Sequence, residues 1–122
     1  MTDRMKTGRR GEALARTYLL DKGYLVEAVN YRYRRTEIDI VAKHGDVLVF
    51  VEVKTRTSLA FGHPSIFFKR EQQRRISRAA SMYMEETGYD WEIRFDLIAI
   101  YLKSPEAYQL DHYEDVFFPG LH

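Results

Sequence analysis

The spacing of apolar residues predicts two amphipathic helices. Residues 8–22 carry Ala, Leu and Tyr at helical spacing, and Gly23 follows them as a stop signal. Residues 69–87 show the same period, and Gly88 closes that segment. The apolar face of the second helix consists of Ile76, Ala79, Ala80 and Tyr83. Each helix therefore has a face that must pack against another layer of the protein.

The remaining apolar segments predict five strands. They are residues 24–33, 37–43, 47–56, 94–102 and 107–117. The basic turn Arg34-Arg35 separates the first two, the turn His44-Gly45-Asp46 separates the second from the third, and the FGHPS segment at 61–65 is a loop. The fourth strand is apolar on both faces, as in a covered central strand, and the last is an edge strand. The order α-β-β-β-α-β-β predicts an α/β sandwich with a mixed central sheet flanked by helices, as a single domain over residues 1–122.

Composition and charge narrow the class of protein. The 122 residues are 45% hydrophobic, which is enough for a core in one domain, and 19 basic residues nearly balance 18 acidic ones. The net charge therefore does not indicate whether the protein binds a polyanion. Only local clusters of basic residues can indicate such a partner. The absence of cysteine excludes disulfides and cysteine-based zinc sites. The chain start lacks the apolar stretch of a signal peptide, and no apolar run has membrane-spanning length, so we expect a cytoplasmic protein without membrane contact.

Glu52 interrupts the apolar run of the third predicted strand. Strand alternation places Glu52 and Lys54 on the same face as Phe50. In the second strand, the same alternation groups Asp39 with Glu37 and Val41, opposite Ile38 and Ile40. A charge in such a run is unfavourable by several kcal/mol unless a partner compensates it.

The length of the hairpin turn decides whether the two acidic faces coincide. A two-residue turn at Gly45-Asp46 places Asp39 opposite Glu52, and a four-residue turn also keeps both charged sets on one side. A three-residue turn would separate them and would bring Ile38 and Ile40 to the side of Glu52. The two-residue and four-residue turns keep the charged residues of both strands on one face, and we favour them.

Opposed carboxylates in a sheet indicate a bound cation. Asp39 facing Glu52 is destabilising by itself, and Lys54 is one positive charge among three carboxylates. Oxygen-rich carboxylate clusters suit Mg²⁺ or Mn²⁺. Glu12 shares the apolar face of the first helix with Ala15 and Leu19, and it therefore projects towards the same cluster. The alternative is a structural ion-pair network, which is disfavoured because its charges balance badly without a metal.

The motifs resemble a known family. GRRGEALA, Asn30-Tyr31-Arg32, Glu37-Ile38-Asp39, VFVEVKTR, Phe61-Gly62-x-Pro64 and Arg94-Phe95-Asp96 resemble the YraN family of uncharacterised, endonuclease-like bacterial proteins. Asp39 followed by Glu52-x-Lys54 also looks like the PD-(D/E)xK nuclease signature, and Glu12 resembles the helical glutamate of archaeal Holliday-junction resolvases. The resemblance implies a restriction-endonuclease-like fold.

The resemblance also implies roles for the matching residues. Asp39 and Glu52 would hold Mg²⁺ or Mn²⁺, with the Val53 carbonyl as an extra ligand, and Glu12 would act through water or a second metal. Lys54 would orient the attacking water and stabilise developing charge during phosphodiester hydrolysis. The catalytic set is thus Glu12, Asp39, Glu52 and Lys54. Glu37 faces the same side and is a candidate partner of Lys54, ranked below Asp39.

Basic and aromatic residues near the cluster indicate a nucleic acid, with DNA favoured over RNA. The predicted contacts are Tyr31, Arg32, Arg34, Arg35, Arg56, Arg74 and Arg75. The alternative is that the tyrosines only pack in the sheet and the arginines are solvated. Asp96, His44 and His63 are interpreted as structural. Related resolvases imply a homodimer. Two functions follow: a metal-dependent DNA endonuclease selective for branched or single-stranded DNA, or a non-catalytic nucleic-acid-binding module that assists other DNA-processing proteins.

Overall fold

A five-stranded mixed sheet lies between two helices. The computed structural model describes residues 2–58 and 69–117, so the predicted FGHPS loop and His63 lie outside the described residues. The elements are α1 (Asp3–Asp21), β1 (Leu25–Tyr33), β2 (Thr36–His44), β3 (Val47–Arg56), α2 (Arg70–Thr87), β4 (Ile93–Leu102) and β5 (Tyr108–Tyr113). The sheet order is β1-β2-β3-β4-β5, in which β3 and β4 are parallel and the other neighbours antiparallel. This confirms the predicted fold class and element order.

Helix α1 begins five residues before its predicted start. The Thr2 side chain caps it by accepting a hydrogen bond from the Met5 amide at 3.2 Å, a signal that the apolar spacing did not include. The helix packs on β3 at Gly11, where an added Cβ would lie 1.8 Å from Thr55 Oγ1. Only glycine allows this close approach, which brings the N-terminal half of α1 against the end of β3.

Each face of the sheet carries its own core. The α1-side core consists of Ala15, Leu19, Tyr24, Ile40, Ala42, Val49, Val51, Ile98, Ile100 and Leu102. The α2-side core consists of Ile38, Val41, Leu48, Phe50, Ile76, Ala79, Ala80, Tyr83, Phe95, Leu97 and Phe117. The predicted apolar face of α2 is therefore confirmed. In the described part of the chain, no helix is long and apolar enough to cross a membrane.

The β2–β3 hairpin has a two-residue turn at Gly45-Asp46. The paired residues run from His44 with Val47 to Ile40 with Val51, and Gly45 takes a φ of +61° in the turn. The described pairs end at Ile40 with Val51, one step before Asp39 and Glu52. The two-residue turn, one of the two favoured from the sequence, is thus confirmed.

Face alternation in β2 breaks next to this point. Ile38 packs in the α2-side core and Ile40 in the α1-side core, so the prediction that they share a face is wrong. Ala28 and Tyr31 of β1 also contact the α2-side core although they are three residues apart. Between them, Asn30 has a φ of +52°, and the strand pairs on either side of it are Val29 with Ile40 and Tyr31 with Ile38. The irregularity re-aims Asp39 and Glu37 towards α1.

Asp96 forms a buried polar network at the α1-side face, which fits its structural interpretation. Arg94 donates from Nε to Asp96 Oδ1 at 2.8 Å and from Nη2 to Oδ2 at 2.9 Å. His112 Nε2 lies 2.7 Å from Asp96 Oδ2, and the Asp115 amide donates to Oδ1 at 3.0 Å. Burial alone would raise the pKa of Asp96, but these hydrogen bonds hold it below its usual value. The network joins β4, β5 and the segment after β5.

Candidate metal centre

Three carboxylates from two elements meet at one end of the sheet. One oxygen each of Glu12, Glu37 and Asp39 lies within 4.8 Å of the others, in the part of the chain the structure describes. Glu12 lies in α1, one turn after Gly8. Its projection from the apolar face of the helix was predicted. Glu37 belongs to the group as closely as Asp39 does, although the sequence reasoning ranked it lower.

Asn30 links two of these carboxylates. With its amide oriented to suit its neighbours, it donates to Glu12 Oε1 at 2.9 Å and to Glu37 Oε1 at 3.2 Å. Asn30 thus connects α1 with β2, and its backbone has a left-handed φ of +52°. The sequence reasoning did not assign Asn30 to the site. The Asn-Tyr-Arg motif was the signal that could have indicated it.

Asp39 is the most perturbed carboxyl of the group. Its Oδ2 accepts a hydrogen bond from the Val53 amide at 2.7 Å, which ties Asp39 to β3. Burial and the negative charges of Glu52, Glu12 and Glu37 raise the pKa of Asp39 to about 8, against the lowering effect of that hydrogen bond. Without a cation, this raised pKa favours the protonated form of Asp39.

Glu52 and Lys54 lie side by side on β3, as alternation predicted. Lys54 Nζ lies 3.3 Å from Glu52 Oε1, and both side chains are mostly buried. Burial raises the pKa of Glu52, Lys54 lowers it, and Glu37 and Glu12 raise it further. Glu52 stands outside the compact group of three, but its charge acts on Asp39. We call the four residues Glu12, Glu37, Asp39 and Glu52 the carboxylate cluster.

Glu37 pairs with Arg32 rather than with Lys54. Arg32 Nη2 lies 3.0 Å from Glu37 Oε2 at the outer edge of the cluster. The structure therefore has two separate ion pairs, Arg32–Glu37 and Lys54–Glu52, where the sequence suggested that Glu37 pairs with Lys54. Arg32, a predicted nucleic-acid contact, is partly neutralised by this carboxylate, although two thirds of its side chain is exposed.

A cleft of about 890 Å³ opens beside the cluster, between the start of α1 and the end of β3. We call it the α1 cleft. Glu12 and Lys54 line its inner side. Three cationic residues line it as well: Arg4, Arg9 and Arg56. Arg56 was predicted as a nucleic-acid contact, whereas Arg4 and Arg9 were missed because their convergence depends on where α1 packs. The arrangement combines anion-binding side chains with a group of carboxylates.

The other residues that were predicted to contact nucleic acid lie on the α2 side of the sheet. Tyr31 packs its ring edge-on against Tyr83 at 5.1 Å and donates a hydrogen bond to Glu86. Burial, that hydrogen bond and the Glu86 charge raise the pKa of Tyr31 to about 12. Its contacts match the alternative of a tyrosine that only packs in the sheet. Arg34, Arg35 and Arg75 line a second cleft, described below, and Arg74 is exposed on α2.

Comparison with known proteins identifies the family. The model for the uncharacterised protein family UPF0102 matches residues 11–100. A UPF0102 protein of Christiangramia forsetii is 42% identical over 118 residues, covering 97% of this chain and 98% of the relative. A UPF0102 protein of Chlorobium phaeobacteroides is 46% identical over 116 residues, with 90% and 91% covered. The relative in Alkaliphilus oremlandii is 44% identical over 115 residues, with 92% and 97% covered. The family that the sequence motifs indicated under the name YraN is UPF0102, and the chain belongs to this uncharacterised protein family.

Proposed function

We propose that the protein is a divalent-metal-dependent endonuclease of the PD-(D/E)xK type that hydrolyses phosphodiester bonds of DNA. One observation carries the proposal: carboxylate oxygens of Glu12, Glu37 and Asp39 lie within 4.8 Å of one another, and Glu12 also lines the α1 cleft with its arginines. A cluster that repels its own charges favours a cation, and an arginine-lined cleft favours an anion. A metal-assisted reaction on a phosphodiester requires both in one place.

The residues of the cluster fit Mg²⁺ or Mn²⁺. All its side-chain donors are carboxylate oxygens, which these hard cations prefer. Asp39 and Glu52 would hold the ion with the Val53 carbonyl, and Glu12 would assist directly or through water. Glu37, within 4.8 Å of Asp39 and Glu12, joins this set in our proposal. When bound, the ion would supply Lewis-acid activation of the phosphate and of a water molecule.

Lys54 and the arginines of the α1 cleft would bind and orient the substrate. Lys54 lines the cleft and is held 3.3 Å from Glu52, so its ammonium group is positioned next to the acidic cluster. There it can orient the attacking water and stabilise negative charge that develops on the phosphate. Arg4, Arg9 and Arg56 would bind backbone phosphates along the same cleft.

The proposal keeps three expectations of the sequence analysis: DNA as the favoured nucleic acid, a homodimer and a cytoplasmic location. Its alternative is a nucleic-acid-binding module without catalysis. The Lys54–Glu52 ion pair is the observation that favours the alternative, because it already occupies both groups.

A cleavage panel tests the function. Wild-type protein with Mn²⁺ or Mg²⁺ is incubated with labelled duplex, forked, single-stranded and four-way DNA, and the products are resolved on gels. We expect cleavage of at least one substrate, no cleavage by Asp39→Asn, and normal cleavage by the control Asp46→Asn, which alters an exposed aspartate of the β2–β3 turn. Lys54→Ala should abolish cleavage while Mn²⁺ binding by calorimetry persists. Cleavage by Asp39→Asn at the wild-type rate would reject the mechanism, and binding without cleavage by the wild type would support the alternative.

A further inference from the structure

We propose that a second cleft, on the α2 side, binds a single-stranded segment of the DNA substrate. The arginine cleft, of about 280 Å³, is formed by Tyr33, Arg34, Arg35, Thr36, Arg75 and Arg78. It combines the β1–β2 turn with one face of α2. This inference rests on the proposed function, because it specifies the kind of DNA that the carboxylate cluster meets.

The cleft concentrates positive charge that the protein leaves uncompensated. In the described residues, Arg34, Arg35 and Arg78 form no ion pair, and Arg75 has a single exposed pair with Glu71 at 3.3 Å. Arginines that converge on one cleft repel one another. Phosphate groups relieve that repulsion and match the fork of the guanidinium group. The acidic residue nearby, Glu85, lines only the wider extension of the cleft along α2.

Tyr33 supplies an aromatic surface inside this basic cleft. Its ring packs against the α2-side core and is therefore held in place, and the Arg34 guanidinium lies 5.2 Å from the ring centroid. Unpaired bases stack on such tyrosine and arginine surfaces, whereas bases in a duplex are already stacked on one another. The combination therefore favours a single strand over a continuous duplex.

Ser77 provides a further polar group in the same region. Its hydroxyl oxygen is buried and has no hydrogen-bond partner in the part of the chain that the structure describes. It lines the extension of the cleft together with Tyr33, Arg34 and Arg78. Because this oxygen is buried, a strand in the cleft would contact Tyr33 and the arginines rather than the hydroxyl.

The position of the arginine cleft connects it with the carboxylate cluster. Thr36 lines the cleft, and the next residue, Glu37, belongs to the cluster. The α1 cleft reaches the same cluster from the other face of the sheet, through Glu12. A strand held in the arginine cleft would thus run directly to the cluster, while the remainder of the DNA occupies the α1 cleft. This geometry fits DNA with a single-stranded branch, such as a fork or a flap.

Binding assays without metal separate this inference from catalysis. Fluorescence anisotropy in EDTA measures the affinity for a labelled dT oligonucleotide, a blunt duplex and a fork, at several salt concentrations. The test variant is Arg35→Gln/Arg78→Gln, and the charge-matched control is Lys22→Gln/Lys43→Gln. The control alters the residue that caps the C-terminus of α1 and a lysine at the other end of β2. We expect the test variant alone to lose single-strand and fork affinity. Its salt dependence should fall by about 0.7 units of slope for each lost phosphate contact.

The aromatic part of the inference has its own pair of variants. Tyr33→Leu keeps an apolar side chain against the core but removes the stacking surface, and should weaken single-strand binding about tenfold. Tyr33→Phe keeps the ring and should bind like wild type. Thermal melts of both variants verify that the fold is retained.

The outcomes distinguish the two proposals. Equal losses for duplex and single strand, or unchanged binding by Arg35→Gln/Arg78→Gln, would overturn the single-strand assignment. A wild-type protein that does not bind the dT oligonucleotide would overturn it as well. Absence of cleavage with Mn²⁺, together with selective loss of single-strand binding in the variants, would leave this inference standing and reject only the nuclease activity.

Discussion

Two aspartates of this small protein, the half-buried Asp39 and the fully buried Asp96, have opposite electrostatic surroundings. Asp39 lies among Glu12, Glu37 and Glu52, and these charges together with burial raise its pKa to about 8. Asp96 is 1% exposed but bonds to Arg94 and His112, and its pKa is lowered. The same side chain is thus destabilised as an anion at one site and stabilised as an anion at the other. Replacing each aspartate by asparagine removes its charge and should therefore affect the two sites in different ways.

We expect Asp39→Asn and Asp96→Asn to change stability in opposite directions. In EDTA at about pH 8, Asp39→Asn should stabilise the fold by on the order of 1 kcal/mol, because it removes part of the repulsion in the cluster. Asp96→Asn should destabilise it by about 3 kcal/mol, because Arg94 loses a buried partner. Urea unfolding of both variants and the wild type measures the difference. Destabilisation by both substitutions to the same extent would show that Asp39, too, is held as part of a structural network.

The raised pKa of Asp39 also predicts how stability depends on pH. Folding raises this pKa from 3.8 to about 8, so between these values the folded state holds a proton that the unfolded chain has released. This contribution to stability is complete below pH 3.8 and is lost as pH rises through about 8. Metal-free wild-type protein should therefore lose stability relative to Asp39→Asn as pH increases from 5 to 8.5. Unfolding curves at several pH values check this, and parallel pH profiles for the two proteins would contradict it.

The sequence could identify individual site residues only where strand or helix period fixes their direction. Alternation along β3 predicted that Glu52 and Lys54 share a face, and the structure brings them into contact at 3.3 Å. Tyr31 lies in a strand that is interrupted at Asn30, and its contact with Tyr83 on α2 depends on a helix that comes some fifty residues later. Periodicity within one strand carries no information about such a contact.

At the scale of elements, α1 positions one side of the candidate site. Its approach to β3 depends on Gly11, since an added Cβ would lie within 1.8 Å of the Thr55 side chain. Glu12 is the next residue and points into the cluster. The separation of α1 from β3 therefore sets the distance between Glu12 and the carboxylates of β2.

The two glycines at the start of α1 provide a matched pair of variants. Gly11→Ala should destabilise the protein by about 1–3 kcal/mol through overpacking against Thr55. Gly8→Ala meets nothing within 4 Å and lies in the helix, so it should stabilise by up to about 1 kcal/mol. Chemical denaturation of both proteins measures this, and calorimetry should show weaker Mn²⁺ binding by Gly11→Ala alone. If both alanines are tolerated equally, α1 does not pack as closely on β3 as described.

Strand pairing was more predictable than the orientation of side chains. The Gly45-Asp46 turn and the apolar pattern indicated the β2–β3 register, and the observed pairing of Ile40 with Val51 confirms it. The same pattern assigned Ile38 and Ile40 to one face, which is wrong. The break lies beside Asn30 of the neighbouring strand, which adopts a left-handed conformation. An irregularity shared by two strands is not included in a strand-by-strand reading.

At the scale of the whole molecule, a bound cation should connect α1 with the sheet. The carboxylate cluster takes Glu12 from α1 and its other members from β2 and β3. Mn²⁺ at ten times its dissociation constant should stabilise the wild type by about 1.4 kcal/mol, because the ion binds the folded state. Glu52→Gln should melt no lower than the wild type in EDTA and should lose most of the stabilisation by Mn²⁺. A wild-type melting temperature that does not respond to millimolar Mn²⁺ or Mg²⁺ would argue against a metal centre.

The carboxylate cluster and the arginine-lined α1 cleft together predict how DNA binding depends on pH without metal. The affinity of a protein for DNA falls when negative charge increases near the bound phosphates. Because the pKa of Asp39 is raised to about 8, this residue is largely neutral at pH 6.5 and charged at pH 9. Asp39→Asn should therefore bind DNA like the wild type at pH 6.5 and more tightly at pH 9.

Arg9→Gln/Arg56→Gln provides the opposite case, because it removes cations from the α1 cleft and should weaken binding at both pH values. Anisotropy titrations in EDTA, at constant ionic strength, measure all three proteins. An advantage of Asp39→Asn that is equal at both pH values would mean that Asp39 is already ionised at pH 6.5. In that case the acidic neighbours of Asp39 would not hold its proton, and the electrostatic argument for a bound cation would lose its main support.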